Sequence, residues 1–514
     1  MKKVMLLLLS LFLIFTAACS GGGGAITTPV TTTALVEPAT EFPEVVKLGS
    51  LIPEGFPTDD TYHEETDYPY LHVANDRITY CKTTGKYYLF AGDFLMRVDA
   101  ETGDTIPVCA KEGCLHHKET NLLKKSECYA MCSSGAVLRS IQYFNGRLYV
   151  AHCSADNKDY VLKSICTDGT DCREELRLTN PGEFRLGETV TGHIGSTILH
   201  RGIVYYTWLR PVGDGRYALE LWAYTLDAPG TNPQCIFRSS NSGFGTSSGR
   251  LLAYGTKLYL LEYYSAADAE IIKRKHSVTW ETTGKAYMLD VLTGDWTDVK
   301  VPDGYDIRAL QITDDGLLMS CQSLETLEQY YNEQRQEAAS NADDEERPPS
   351  SGVIHTPGDY VRLRLTLDGR DPVQLDTIPT DKDFVSVYCD EVFLYDCVNE
   401  TVYVYDMNGN LLGQHSFADL LNRDYEYNGE FYKVELDAVS CVLYPVGIGS
   451  TVLITWEFGR WGDILLSRRS FYLVDTSDTV NGTVELQELF SCDEYDYKKE
   501  ITSGRWINEN VQED

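Results

Sequence analysis

The sequence predicts an all-β fold, a single β-propeller of four-stranded antiparallel blades, with seven blades and with six or eight as alternatives. Two observations carry this prediction. One short pattern recurs seven times between Asp99 and Asp475: an apolar, Tyr-rich run, an Asp, a turn rich in Gly, Asp and Asn, and a second apolar run. Each copy also follows a partner in which a turn leads into an apolar run. Hairpins that repeat in this way are typical of sheets arrayed around an axis.

The residue types within the repeats explain why each would form a hairpin. The copies include KAYMLDVLTGDWTDVKV and TVYVYDMNGNLLGQHSF, and their partners include NGRLYVAHC and GTKLYLLEYY. β-Branched and aromatic residues favour a pleated, half-buried surface, while Asn-Gly, Asp-Gly and Thr-Gly-Asp supply the positive-φ positions of tight turns. No single repeat has enough apolar face to fold alone, so neighbouring repeats must stack. An open pair of β-sandwiches is the alternative.

The first two blades can be laid out strand by strand. Blade one is predicted as Arg77–Cys81, Tyr87–Ala91, Phe94–Val98 and Asp104–Val108. Blade two is predicted as Val137–Phe144, Arg147–Cys153, Asp159–Cys166 and Cys172–Leu178. Because both ends of the repeat region supply complete blades, the ring is predicted to close without strand exchange.

The N-terminal residues predict export. Lys2-Lys3, the apolar run Val4–Phe15 and small residues before Cys19 form a secretory signal. Cysteine directly after Ala-Ala resembles a bacterial lipoprotein signal, so residues 1–19 are predicted as a signal peptide with an acylated Cys19. Ordinary cleavage after Ala18 is the alternative, and the apolar run is too short for a transmembrane anchor.

Composition divides the rest of the chain. Residues 20–70, rich in Gly and Thr and then in Pro, Glu and Asp, are predicted as a flexible tether and lead-in to a propeller over residues 71–492. Within blade five, residues 322–359 are predicted as an insertion, a short amphipathic helix followed by an acidic, Pro/Ser-rich disordered tract. Residues 493–514 lack a repeat and are predicted as a C-terminal extension.

The net charge of −33 bounds the partners. Nucleic acid and anionic lipid surfaces would both repel so acidic a chain, so neither is predicted as a partner. Membrane contact is therefore expected through the lipid anchor only, with the protein held outside the cytoplasm. The predicted partner is a protein or glycan of the cell envelope.

The long loops predict which face of the ring binds that partner. The short repeated turns fall on one face, whereas insertions such as Leu209–Arg216 and Glu457–Asp463 fall on the other. Loops that grow on a repeating scaffold usually carry function. Four tryptophans are predicted as ligand-binding residues at the rim of this face: Trp208, Trp280, Trp456 and Trp461. The alternative is that they cover the ends of the blade cores.

A cysteine-rich connector after blade one predicts a second kind of site. Cys109, Cys114, His116 and Cys128 have the spacing of metal ligands, and Zn²⁺ takes four sulfur or nitrogen ligands in a closed tetrahedron. A structural zinc is one interpretation. The other is a pair of disulfides, drawing in Cys132, which export to an oxidising compartment favours.

The pattern C-x4-C-x-H…C-x-A between the first two repeats resembles a group of uncharacterised propeller lipoproteins from anaerobic Gram-positive bacteria. Members of that group also pair a lipoprotein signal with a Gly/Ser tether and Tyr-rich repeats. The resemblance implies the propeller fold and an anchored, extracytoplasmic location, and it implies no activity.

The sequence predicts a binding or protein-interaction scaffold. Gly245-Thr-Ser-Ser-Gly249 matches the hydrolase G-x-S-x-G pattern, but that pattern requires a strand–turn–helix elbow and here lies in a linker. Whether the protein is an enzyme stays open. The alternative function is a propeller glycosidase, lyase or peptidase accessory that acts at the central opening.

Overall fold

A computed structural model of the chain describes residues 44–507 with internal gaps. The gaps are 48, 69–77, 82, 92, 120, 133–138, 155–158, 180–192, 214–215, 227–231, 245–247, 266–281, 314–315, 330–331, 333–359, 380–382, 389–390, 397–400, 417–421, 428–429, 448–449, 462–463, 476–484 and 498–499. The signal peptide, Cys19 and the predicted disordered tract of blade five lie outside the described residues.

The described strands form seven antiparallel sheets. Blade one contains β1 (Ile78–Cys81), β2 (Lys86–Ala91), β3 (Phe94–Val98) and β4 (Thr105–Pro107). Blade two contains β5 (Ser140–Phe144), β6 (Arg147–Cys153), β7 (Asp159–Cys166) and β8 (Arg173–Thr179). Blade three contains β9 (His193–His200), β10 (Ile203–Gly213), β11 (Arg216–Thr225), β12 (Gln234–Arg238) and the short β13 (Gly243–Phe244). Blade four contains β14 (Ser248–Tyr254), β15 (Lys257–Ser265), β16 (Thr282–Asp290) and β17 (Asp295–Val299).

The remaining sheets follow the same chain order. Blade five contains β18 (Tyr305–Thr313), β19 (Gly316–Ser323), β20 (Tyr360–Leu365) and β21 (Val373–Gln374). Blade six contains β22 (Asp383–Tyr388), β23 (Glu391–Asp396), β24 (Thr401–Asp406) and β25 (Leu411–Ser416). Sheet seven contains β26 (Asn422–Tyr427), β27 (Glu430–Gly447), β28 (Ser450–Trp461), β29 (Ile464–Asp475), β30 (Glu485–Tyr497) and β31 (Glu500–Ile507). Between blades one and two lie a 3₁₀ turn (His116–Lys118) and the helix α1 (Leu122–Ser126).

The predicted all-β propeller of four-stranded antiparallel blades is confirmed. Six sheets are four-strand meanders in simple chain order, one of them with the added β13. Sheet seven has six strands, so the seven-blade count is confirmed only in part. In blades one and two the predicted strands agree with the observed strands to within a few residues.

The sheets form a ring through their innermost strands. Each of β1, β5, β9 and β14 contacts the first strand of the next blade, as does β18, and β27 contacts both β22 and β1. Phe471 and Leu489 of sheet seven join the apolar cluster of blade one around Ile78 and Phe90. Every sheet contains only consecutive strands, so the ring closes without strand exchange, as predicted.

Polar side chains on the inner strands bond neighbouring blades together. Buried Gln142 of β5 both donates to the carbonyl of Leu199 and accepts from its N–H in β9. Thr79 Oγ1 of β1 accepts the N–H of Tyr143 in β5. These bonds satisfy polar groups in the interior, where an unpaired donor or acceptor would be costly.

The repeated Asp of the sequence pattern forms the short turns. Oδ1 of Asp99, Asp290 and Asp406 accepts N–H groups two to four residues further on, the arrangement of an Asx turn. Lys86 and Lys257, at the starts of the second strands of blades one and four, form ion pairs with Asp99 and Asp290. The repeating motif is therefore a turn motif stabilised by its own side chain.

Residues 44–68, called the lead-in below, pack against the ring. The Val46 N–H donates to the carbonyl of Cys235, and the Leu51 N–H donates to the carbonyl of Val291. Phe56 stacks on Phe144 at a centroid distance of 6.0 Å. Within the predicted tether and lead-in, residues 44–68 are therefore a lead-in that packs on the ring, because their Pro-rich, acidic sequence forms backbone bonds to blades two, three and four.

Several predicted loops are strands. Leu209–Gly213 continues β10, with a register shift between Pro211 and Gly213, and Arg216 begins β11. Glu457–Trp461 continues β28. Beyond the predicted boundary at residue 492, β30 continues to Tyr497 and pairs with β31. These stretches contain Tyr, Trp, Phe and Ile between their charged residues. Aromatic and β-branched residues favour strands, so the stretches can continue the neighbouring strands.

The insertion of blade five begins as predicted. Residues 324–329 are helical, with Leu327 buried and Leu324 47% exposed. The rest of the predicted helix, through Tyr331 and beyond, lies almost wholly outside the described residues. In the part of the chain that the structure describes, no helix is long and apolar enough to span a membrane.

Candidate metal centre and the predicted binding residues

The connector from β4 to β5 is bonded to blade one at both of its ends. The Val108 N–H donates to the carbonyl of Leu95, and the Leu95 N–H donates to the carbonyl of Ala130 at 2.8 Å. Phe94 and Met131 form an isolated antiparallel bridge. The residues between these anchor points therefore leave the blade and return to it, which brings the two ends of a cysteine-rich loop together.

Blade two holds the same loop from the other side. Lys163 of β7 is buried, and its Nζ donates to the carbonyls of Tyr129 and Met131 at 2.6 and 2.7 Å. The N–H of Ala110 donates to the carbonyl of Gly169 in the β7–β8 turn at 2.9 Å. The loop is thus fixed at the junction between two blades.

The structure brings the four predicted metal ligands together. The ligand atoms of Cys109, Cys114, His116 and Cys128 all lie within 4.8 Å of one another. His116 Nδ1 lies 3.5 Å from Cys128 Sγ, and His116 has a positive φ of 50°. Gly113, with φ of 71°, reverses the chain just before Cys114.

Hydrogen bonds and burial make the sulfur atoms unequal. The Cys128 thiol bonds to Cys109 Sγ, and this bond, with the N–H groups of Lys111 and Tyr129, lowers the pKa of Cys109. The same bond, together with burial, raises the pKa of Cys128. The two pKa values shift in opposite directions because two adjacent thiolates without a cation would repel each other.

The residues of the cluster fit Zn²⁺. Three thiolates and one imidazole form a set that closed structural zinc sites use, and ligand atoms about 2.3 Å from a tetrahedral ion lie about 3.8 Å apart. The 3.5 Å between His116 Nδ1 and Cys128 Sγ is slightly below that value, and the limit of 4.8 Å for all pairs is above it. N–H groups that donate to sulfur stabilise thiolates. A divalent cation bound to the thiolates would replace the proton of the Cys128 thiol.

The three cysteines of the cluster are free thiols in the structure. The disulfide interpretation named Cys132 as a further member. Cys132 is buried, and its Sγ bonds to the carbonyl of Ala130 rather than joining the four ligand atoms. The four ligand atoms, without Cys132, are therefore close enough to hold one metal ion.

The four predicted tryptophans are not brought into one described site. Trp208 is half-buried and packs against the apolar cluster between blades two and three, the position that the core-covering alternative describes. The backbone places Trp456 within β28 opposite Arg469, and Trp461 at the hairpin end opposite Ile464. Trp280 lies outside the described residues.

The sequence did not predict two contacts that hold the cysteine-rich connector in place. Lys163 is a single cation within the mostly buried strand β7, and only the fold reveals that it bonds the connector. Gly169 has a φ of +86°, and a Cβ on it would lie 2.7 Å from the backbone nitrogen of Cys109. The Thr-Asp-Gly-Thr turn predicts the glycine, but not the chain that packs against it.

No protein-family model matches the chain, and no curated protein matches its sequence. Solved structures do show similarity. A mutant of puromycin hydrolase complexed with PGG matches with a TM-score of 0.41 and 11% identity, covering 86% of this chain and 61% of that one. This chain therefore spans less than two thirds of the hydrolase.

Two further structures are covered over nearly their whole chains. The β-propeller domain of the Trilobed protease from Pyrococcus furiosus matches with a TM-score of 0.33 and 9% identity, over 86% of this chain and 99% of that one. An oligogalacturonate lyase from Vibrio parahaemolyticus matches with a TM-score of 0.36 and 7% identity, over 85% and 97%. At these scores the similarities carry no statement about activity.

Proposed function

We propose that the protein is an exported, lipid-anchored β-propeller that acts as a binding scaffold in the cell envelope and holds a structural Zn²⁺ between its first two blades. One observation carries the zinc assignment: the four ligand atoms of a Cys₃His set converge within 4.8 Å. The ion would join the two ends of the cysteine-rich loop, which leaves blade one and returns to it beside blade two. Its role is structural, since four protein ligands leave no open position for a substrate.

Elemental analysis of anaerobically purified protein tests the zinc. We expect close to one Zn²⁺ per chain, and we expect Cys114→Ser to lose it. Cys166→Ser is the matched control, because Cys166 is also half-buried but lies outside the cluster. Peptide mapping without reductant runs beside the metal analysis. A Cys109–Cys128 disulfide in the native protein, with no zinc, would replace this assignment by the covalent alternative.

The anchor is proposed from the signal sequence and from the packed lead-in. Residues 20–43 would connect an acylated Cys19 to a chain that first meets the ring at blades three and four. Fractionation tests this step. The Cys19→Ala variant should leave the membrane fraction, whereas Cys81→Ala should stay with it. Retention of the Cys19→Ala variant in membranes would contradict a lipid anchor.

The scaffold role is proposed from the loop-rich face, the face of the ring on which the insertions Leu209–Arg216 and Glu457–Asp463 are predicted. Blade three and sheet seven both extend there as long hairpins, and β26 and β31 widen sheet seven at the same end. Trp461 lies at the tip of the longest of these hairpins. An extended, aromatic-bearing sheet offers more contact area than a ring of short turns.

Retention of envelope partners tests the scaffold role. The double substitution of Trp456 and Trp461 to Ala should abolish retention of protein or glycan from wall extracts, with a nearly unchanged thermal midpoint. Trp296→Ala is the control, because Trp296 of blade four packs on Phe237 of blade three and not on the extended hairpin of sheet seven. If the double variant instead unfolds much earlier while it retains its partners, the two tryptophans serve the fold.

A further inference from the structure

The connector between blades three and four bulges away from β11. Arg238 pairs with Glu220, and Gly243 pairs with Tyr217. Four connector residues, 239–242, therefore stand opposite only two residues of β11. These four residues, with the sequence Ser-Ser-Asn-Ser, form an arch.

The arch borders a cleft of about 230 Å³ on the loop-rich face. One wall is apolar and consists of Val212 and Ala218, from the extended β10–β11 hairpin. The opposite wall consists of the arch and of Arg238 at its foot. The cleft thus joins an aliphatic surface to serine hydroxyls, an amide and a guanidinium.

The arch is held in one conformation by Asn241. Its Nδ2 donates to Ser239 Oγ at 3.0 Å and to Glu262 Oε2 at 2.9 Å, and its Oδ1 accepts from Lys285 Nζ at 3.1 Å. Glu262 is fully buried in blade four, so the arch is fixed to the interior of the next blade. A site fixed in this way loses little conformational entropy when it binds a ligand.

Among the described side chains around the arch, three cations, Arg210, Arg238 and Lys285, lie beside the two buried carboxylates of Glu220 and Glu262. Glu220 is buried, and its Oε1 accepts from Nε of Arg210 at 2.7 Å and from Nε of Arg238 at 2.8 Å. Two guanidinium groups thus share one carboxylate, and their side chains stay 25% and 23% exposed. In a chain of net charge −33, this local excess marks a place where an anion is attracted.

We propose that this cleft binds a sugar acid, a single pyranose ring that carries a carboxylate. The inference rests on the proposed scaffold function and names one group that the scaffold would hold. The carboxylate lies against the Arg238 guanidinium, whose planar donors suit it. The ring lies between the Val212–Ala218 wall and the arch, where Ser240 and Ser242 offer hydroxyls to the sugar hydroxyls.

The size of the cleft limits the ligand to one ring. Sites for drug-sized ligands measure roughly 300–1,000 Å³, so a cleft of about 230 Å³ suits a smaller molecule. The apolar wall favours the C–H face of a sugar over a bare anion, which would use the guanidinium alone. Longer acidic glycans would place one residue in the cleft and extend along the face.

Calorimetric titration of the full, zinc-loaded chain with glucuronate tests the proposal. Glucuronate should bind at least about tenfold more tightly than glucose, which lacks the carboxylate, and than acetate, which lacks the ring. Arg238→Gln should weaken glucuronate about tenfold or more, the usual effect of losing a charge-assisted hydrogen bond. Equal binding of glucose or of acetate would overturn the sugar-acid assignment.

A second variant keeps the test decisive if Arg238→Gln fails to fold. Val212 is 37% exposed, so Val212→Phe should fill the cleft without disturbing Glu220. Val373→Phe, at an exposed valine of β21, is the matched control. Val212→Phe should abolish glucuronate binding and the control should retain it. Unchanged glucuronate binding by Val212→Phe would refute the site. If no form of the protein, including the wild type, binds glucuronate while retention of wall-extract partners is intact, only this inference is refuted.

Discussion

Arg201 and Asp67 form an ion pair in which neither side chain is exposed, with Nε and Oδ1 2.8 Å apart. The remaining donors of the guanidinium bond to Asp67 Oδ2 and to the carbonyls of Pro57, Asp59 and Thr61. All five N–H groups of the arginine are therefore satisfied, which is what burial of this cation requires. The pair joins the lead-in to the β9–β10 turn of blade three.

Asp67→Ala should lower the free energy of unfolding by about 3–5 kcal/mol, because it leaves the Arg201 cation buried and uncompensated. Chemical denaturation measures the change. Lys47→Ala is the control, since its ion pair with Asp295 has side chains 71% and 61% exposed and should contribute nothing measurable. Similar effects of the two substitutions would mean that the lead-in adds little to stability.

Gly169→Ala should damage the metal centre as well as the turn. Gly169 and Gly146 have φ of +86° and +83°, so alanine is strained at both, by about 1–2 kcal/mol. Only at Gly169 would the Cβ meet the backbone of Cys109. We therefore expect Gly146→Ala to lose stability alone, and Gly169→Ala to lose stability and zinc. Full zinc content in Gly169→Ala would show that Cys109 moves freely.

Zinc should raise the thermal midpoint of metal-free protein, because an ion that binds only the folded chain stabilises it by mass action. At a free concentration one hundred times the dissociation constant, the gain is about 2.7 kcal/mol. Mg²⁺ should have no effect, since it prefers oxygen ligands. A His116→Ala variant should gain less from zinc than the wild type, and an equal gain would exclude His116 as a ligand.

Glu262→Gln should raise the free energy of unfolding at pH values above 4.5. Burial raises the pKa of Glu262 above its ordinary value of 4.5. The folded state then holds a proton that the unfolded state has lost, so stability falls as pH rises from 4.5 through the folded pKa. Each unit of that elevation costs about 1.4 kcal/mol.

Glutamine can still accept the hydrogen bonds of Asn241 and Tyr287 without a charge. The advantage of Glu262→Gln over wild type, measured by denaturation, should therefore grow as the pH rises above 4.5 and become constant once the pH exceeds the folded pKa. Glu325→Gln, at an exposed glutamate, provides the comparison. An advantage for Glu262→Gln that stays constant as the pH rises above 4.5 would mean that the carboxyl does not titrate there.

Local chemistry explains what the sequence predicted well. The strands of blades one and two and the turn at Asn145-Gly146 follow from alternation and turn residues, which act over a few positions. The clustering of Cys109, Cys114, His116 and Cys128 was predictable for a similar reason, because the four residues lie at short spacing within one loop. Long-range partners were not: Arg201 and Asp67 are 134 residues apart, and neither lies in a pattern.

The misassigned segments share one physical property. The hairpins around Leu209 and Trp461 are continued by backbone pairing, and backbone bonds leave little signature in side-chain types. Pro211 reads as a loop residue, yet a bulge accommodates it within β10. Composition therefore marked these stretches as irregular, whereas pairing with neighbouring strands or turns makes them ordered.

The lead-in also determines how the ring would respond to a mechanical pull on its N terminus. Residues 44–68 contact blades two, three and four before the chain enters β1. Tension from the N-terminal side therefore reaches the backbone bonds of Val46 and Leu51 first and the Arg201–Asp67 contact after them. The strand β1, beside the seam where blade one meets sheet seven, lies downstream of that contact. A ring closed without strand exchange is weakest against peeling at its seam, and this route for the force keeps tension away from it.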